Sequence, residues 1–273
     1  MIDSHQHFWK LSRDDYGWLT DDLQPIYRDY EPHDLKDTLK QFNIEKTVLV
    51  QAAPTFEETL YMINLAEQHA FIAGIVGWVE MDSPAGLVQL DRLSQHPVVK
   101  SIRPMIQDIA DDQWMLSDAL RPSIDKLMEM GLCFDALVLP NHLPVLKTFV
   151  NRYPDLKVVI DHCAKPNIAD GEFQLWADRI AEFSGLENVY CKLSGLVTEA
   201  SESWKTEDLE PYVNHILNVF GPSRVMWGSD WPVVNLAASY QQWINTSDAL
   251  LSSLSMDEKE QIMGKTAASF YHL

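Results

Sequence analysis

The sequence predicts an α/β chain folded as a single (β/α)8 barrel over residues 1–273, and three observations lead there. Short apolar runs alternate with helix-period stretches from one end to the other. Several runs, such as Val48-Leu49-Val50 and Val158-Val159-Ile160, are continuous apolar blocks, as strands of a buried parallel sheet should be. Eight such strand–helix units fill the chain, and no Pro-, Ser- or Gly-rich linker divides them. A doubly wound open sheet is the competing architecture, and no solenoid-type repeat is present.

Strands are expected over residues 2–7, 47–53, 71–79, 98–104, 132–139, 157–163, 188–193 and 224–230. The first helix opens on Glu31-Pro32-His33-Asp34 and carries Leu35, Leu39 and Phe42 on one face. A second, over 57–69, presents Leu60 and Ile63, and a third, over 86–96, presents Leu87, Leu90 and Leu93. The connections over 8–31, 105–116 and 195–207 are long, and they carry Trp9, Trp18, Trp114 and Trp204. They follow strands one, four and seven, so they are expected to roof the carboxyl-terminal face, where barrel active sites lie.

Composition narrows the function. Twenty-one Lys and Arg against 40 Asp and Glu give a formal charge of −19 with no basic cluster. That balance argues against nucleic acid and anionic membranes as partners and leaves a small molecule. No apolar run approaches the ~18–20 residues needed to span a bilayer. The amino terminus reads as a strand rather than a signal peptide, and Cys133, Cys163 and Cys191 read as buried thiols rather than a disulfide framework. A cytoplasmic location is the expectation; a homo-oligomer is left open.

Chemistry is carried by residues at predicted strand ends. His5 and His7, two apart on the first strand, share one face. His162 ends strand six, with Asp161 expected to point to the opposite side and to orient backbone. Asp230 ends strand eight, and Trp231-Pro232 turns the chain away behind it. Three imidazoles and a carboxylate suit one divalent metal or the activation of a water. Arg103 offers a rigid fork for a carboxylate or carbonyl. Lys192 is a cation in an apolar strand, suited to meeting developing negative charge or to locking Asp161 or Asp230 in place. His142 and Trp231 are further candidates for substrate contact, and Lys165 for a supporting role. His33, His69, His96, His215 and His272 read as solvent or packing residues. Neither a Walker-type loop nor a Gly-x-Ser-x-Gly elbow occurs.

The stretches Ile2-Asp3-Ser4-His5-Gln6-His7-Phe8-Trp9, Val159-Ile160-Asp161-His162-Cys163-Ala164-Lys165-Pro166, Cys191-Lys192-Leu193-Ser194-Gly195 and Gly228-Ser229-Asp230-Trp231-Pro232-Val233 resemble the amidohydrolase superfamily. Within it they are similar to the amidohydrolase-related branch, which holds sugar-acid lactonases of the fuconolactonase and rhamnonolactonase kind and a dicarboxylate-pyrone hydrolase. The resemblance spans the whole chain. It implies a (β/α)8 barrel, and it places His5, His7, His162 and Asp230 where relatives keep metal-binding or water-activating groups. Arg103 would match a residue that grips the substrate carbonyl or carboxylate. Strand four offers Lys100 and Arg103 without a bridging ligand, and His142 lies beyond strand five. A two-metal centre is therefore not expected; one zinc or manganese ion, or none, fits the branch.

The function expected is hydrolysis of a sugar-acid lactone by water attack on the ester carbonyl, with Asp230 as base and His162 beside it. The alternatives are decarboxylation of an aromatic acid, hydrolysis of a cyclic amide, and a non-catalytic sugar-binding barrel.

Overall fold

The computed structural model describes residues 1–273, and eight parallel strands form one sheet in sequential order. They are β1 (Ile2–Gln6), β2 (Lys46–Val50), β3 (Ile72–Gly77), β4 (Val99–Ile102), β5 (Cys133–Ala136), β6 (Val158–Ile160), β7 (Val189–Leu193) and β8 (Val225–Trp227). The principal helices of the outer ring are α1 (Pro32–Gln41), α2 (Phe56–Gln68), α3 (Pro84–Leu93), α4 (Arg121–Met130), α5 (Leu143–Arg152), α6 (Gln174–Ala181), α7 (Thr206–Phe220) and α8 (Tyr240–Leu250). This is the expected (β/α)8 barrel. Each helix turns its apolar stripe to the sheet, as Leu35 and Leu39 do in α1 and Met62, Ile63 and Leu65 in α2.

The strands are shorter than the apolar runs suggest, and the loss falls mainly at their carboxyl ends. There the chains splay apart into the loops that build the site. The barrel closes between β1 and the segment after β8. His7 donates its backbone N–H to the Trp231 carbonyl (2.7 Å), and Asp230 donates to the His5 carbonyl (2.8 Å). This seam needs a residue without a side chain. A Cβ on Gly228 would lie 2.7 Å from the His5 Cβ, closer than real contacts allow. The closure therefore brings His5, His7 and Asp230 together at the carboxyl-terminal mouth.

Inside the barrel, alternation along the strands fills successive layers. A lower layer of Val48, Val76, Cys133, Val159 and Met226 packs on Phe270 and Tyr271, which plug the amino-terminal end. Above it the same alternation points Ser101 and Arg103, Asp135, Asp161 and Lys192 inward. All five are buried and linked by ion pairs and hydrogen bonds. No helix is long and apolar enough to cross a membrane.

Candidate active site

His5, His7, His162 and Asp230 meet at the mouth of the barrel. His5 Nε2 lies 3.2 Å from His7 Nε2. Asp230 Oδ1 lies 3.3 Å from His7 Nε2, 3.7 Å from His5 Nε2 and 3.9 Å from His162 Nε2. These groups reach one point from three separate strand ends, and two of them do so by leaving regular strand geometry.

His162 is the clearer case. β6 stops at Ile160, and residues 162–165 then run through four consecutive left-handed conformations, with φ of 51, 54, 59 and 49°. None is a glycine, so this turn carries strain of the kind found where structure serves a site, roughly 1–2 kcal/mol per residue. Asp230 is also left-handed, at φ 56°. The expectation that Asp161 and His162 point to opposite sides because they alternate on a strand is thereby corrected. Alternation from Val159 turns Asp161 into the barrel, and the left-handed turn brings His162 back to the same side. Gly195, at φ +66°, makes room for the ring, because a Cβ there would sit 2.6 Å from His162 Nδ1.

The rings are held from behind. His7 Nδ1 is 2.7 Å from the Val50 carbonyl, which only accepts, so Nδ1 carries the proton and Nε2 offers its lone pair to the mouth. His162 Nδ1 lies 2.9 Å from the Ser194 hydroxyl. His5 Nδ1 faces the Lys192 ammonium at 3.2 Å and Asp161 Oδ1 at 3.7 Å. That oxygen is ion-paired with Lys192 at 3.0 Å but receives no well-directed hydrogen bond. A proton on His5 Nδ1 would be directed toward that oxygen, and that tautomer would leave His5 Nε2 with a lone pair to offer a metal. A tetrahedral ion with bonds of about 2.0–2.1 Å to nitrogen and oxygen sets its ligand atoms about 3.3–3.4 Å apart. Two of the separations across His5, His7 and Asp230, 3.2 and 3.3 Å, match such a set and the third is wider at 3.7 Å, so the residues present fit one metal ion. The three groups lie close enough to hold one together, as do His5, Asp161 and His162.

The charge states follow from the surroundings. Burial pushes the His162 imidazole down to about 4, against the pull of Asp230 and Asp161. His5 is held well below its usual range by burial and by Lys192. Burial alone would raise the Asp230 carboxyl, but the imidazoles of His162, His7 and His5 around it outweigh burial and keep it below the usual carboxylate range. At neutral pH the mouth thus presents neutral His5 and His162 beside a carboxylate.

Arg103 reaches the same cavity, and most of its donors are used. Nη1 meets Asp161 Oδ2 at 3.0 Å, and Nη2 bonds Gln51 through the backbone carbonyl and at 2.9 Å through Oε1. Its Nε–H has no partner. The cavity, of about 300 Å³, is walled by His7, Arg103, His162 and Asp230, and from the long connections by Trp18, Met105, Gln107, Thr198 and Glu199. A larger cavity of about 850 Å³ opens at the other end of the barrel, between Phe42, Met263 and Lys265, far from these groups. Convergent chemistry, not volume, marks the site.

Three of the expected substrate contacts are displaced. Lys192 is completely buried below His5 and pairs with Asp135 and Asp161, so its ammonium is committed inside the barrel. His142 accepts from the Leu139 N–H through Nδ1 and meets Asp112 at 3.2 Å, outside the cavity wall. Trp231 packs edge-on against Phe8 and Tyr30 behind the mouth. Lys165 does line the cavity, with Glu199 at 3.6 Å. Glu199 was missed, since nothing in Val197-Thr198-Glu199 distinguishes it from a solvated loop acid. Its carboxyl is raised by burial despite Lys165.

Residues 2–273 match the amidohydrolase family model. The chain belongs to the amidohydrolase family. It is 42% identical to an L-fucono-1,5-lactonase of Burkholderia ambifaria, over the whole of this chain and 95% of that one. It is 34% identical to an L-fucono-1,5-lactonase of Burkholderia multivorans, over the whole chain and 96% of the relative. A crystal structure of an amidohydrolase from Burkholderia multivorans with bound zinc superposes with a TM-score of 0.94 at 34% identity, covering 100% of this chain and 99% of that one.

Proposed function

We propose that this amidohydrolase is a lactonase that opens the ring of a sugar-acid lactone of the L-fucono-1,5-lactone kind. The observation that carries the reading is the convergence of Asp230 with three imidazoles on one small cavity, in a chain 42% identical to a lactonase of that name. Asp230 takes a proton from the attacking water. Its low proton affinity keeps it ionised and ready at neutral pH, and the neighbouring imidazoles orient the water. The lactone carbonyl lies toward Arg103, whose guanidinium charge at the cavity wall stabilises the oxygen as negative charge develops on it. Asp230 then returns the proton to the ring oxygen as the C–O bond breaks, giving the open hydroxy acid. Trp18 and Met105 shield the reacting end from bulk water.

His5, His7, His162 and Asp230 would hold a divalent ion, zinc being the one bound in the related structure. Such an ion supplies Lewis acidity to the carbonyl and acidity to water.

A pH-indicator assay over a panel of aldonolactones, with protein as purified and after chelation, tests the activity. Rapid acid release from L-fucono-1,5-lactone supports it. Release from no lactone, with carbon dioxide evolved from an aromatic acid instead, would replace it with decarboxylation.

A further inference from the structure

A second cavity, of about 690 Å³, adjoins the first at the barrel mouth, and the two share Trp18 and Met105 as walls. It lies over the ends of β3 and β4, and Trp78 and Trp114 line it beyond Trp18. Two of these indoles are fixed in place. Trp18 donates its Nε1–H to the Ala52 carbonyl at 2.7 Å, and Trp114 donates to Asp82 Oδ2 at 2.8 Å. Both rings are thereby held in the cavity wall, so contact with a ligand orders them at little further entropic cost.

The polar lining has one sign. Asp15, Glu80, Asp82 and Asp108 line the cavity, and no Lys, Arg or His does. The first cavity, by contrast, carries Arg103, Lys165 and His side chains. Asp15 is held by Arg13 and by Thr55 at 2.8 Å through one carboxylate oxygen, while its other oxygen has no donor. Aromatic faces suit the C–H faces of a sugar ring, and carboxylates accept from hydroxyls. A carboxylate or phosphate on the ligand would be repelled.

We infer that this second cavity is a subsite for a neutral glycosyl residue carried by the lactone, so that glycosylated aldonolactones are substrates. The inference rests on the lactonase reading for turnover but not for binding. The lactone end lies against Asp230 and Arg103, and the attached ring passes Trp18 and Met105 to stack on Trp114.

Two experiments separate these claims. Saturation-transfer NMR with maltitol, a neutral glycosylated polyol that cannot be hydrolysed, reads the subsite alone. Transfer to its pyranose protons is expected, reduced in Trp114→Ala and kept in Trp114→Phe; no transfer, or transfer indifferent to Trp114→Ala, overturns the subsite whatever the enzyme hydrolyses. Kinetics on a panel of disaccharide aldonolactones beside L-fucono-1,5-lactone reads turnover. Trp114→Ala should raise KM for at least one disaccharide lactone by about five- to tenfold, the scale of one aromatic contact, and leave the monosaccharide lactone unchanged. Equal effects on both, or no disaccharide lactone accepted while the monosaccharide is, would overturn glycosylated lactones as substrates. Failure on every lactone, with maltitol still bound, would overturn the lactonase reading and with it those substrates, and would uphold the subsite.

Discussion

His162 and Asp230 face each other at 3.9 Å, and each stands on a backbone in the left-handed region, at φ 51° and 56°. On a continued strand His162 would point away from the barrel interior. The strain is stored where the proposed chemistry needs it, and the packing around Gly195 and Gly228 holds it there.

Gly195→Ala tests that support. The new methyl would meet His162 Nδ1, and Ala is disfavoured at φ +66°. Thermal melts should show a loss of about 1–2 kcal/mol, and kcat should fall at least tenfold as the ring shifts. A variant with unchanged melting and unchanged kcat would show that the ring does not depend on this gap.

Lys192→Met should be more damaging to stability than to the cavity. Removing the ammonium leaves Asp135 and Asp161 buried without their shared partner, a change of about 3–5 kcal/mol in urea unfolding. Adding Asp135→Asn should recover part of the loss. If the double variant were no more stable than the single one, the lysine would not be neutralising Asp135.

Zinc should stabilise the chelated protein. At 100-fold excess over Kd, one site gives about 2.7 kcal/mol, which is roughly 5–10 °C in Tm for a chain of this size. His7→Ala should abolish most of that rise, because His7 Nε2 is pre-set as a donor by the Val50 carbonyl. A rise that survives this variant would place the ion elsewhere.

Glu58 makes stability depend on pH. Burial raises its carboxyl to about 7, despite the backbone N–H groups of Ala52 and Ala53 that it accepts. A raised carboxyl is protonated in the folded state while the unfolded chain is already ionised, so its contribution falls as pH rises from about 4.5 to 7. Glu58→Gln should remove that slope and gain of order 1–3 kcal/mol at pH 8 relative to pH 5, when each is compared with wild type. Parallel pH–stability curves for the two proteins would contradict the assignment.

The barrel was legible because buried parallel strands leave unbroken apolar blocks, and His5, His7, His162 and Asp230 were legible because each falls at the end of one. The orientation of Asp161 was not, since a left-handed turn built from His, Cys, Ala and Lys has no local signature. Lys192 was recognised as an odd cation in an apolar strand, yet its partners Asp135 and Asp161 come from other strands and only the closed barrel joins them. His142 and Trp231 lay near strand ends in sequence, but packing turned their rings behind the mouth. Glu199 and the second cavity arise from loops meeting in space, a relation no single segment records.

The most direct measurement is kcat of Asp230→Asn on L-fucono-1,5-lactone by indicator assay, with folding checked by circular dichroism. Loss of a carboxylate that both takes and returns the proton should lower kcat by about 10²–10⁴-fold, with little change in KM. Near-wild-type kcat in the folded variant would contradict Asp230 as the base and the mechanism built on it.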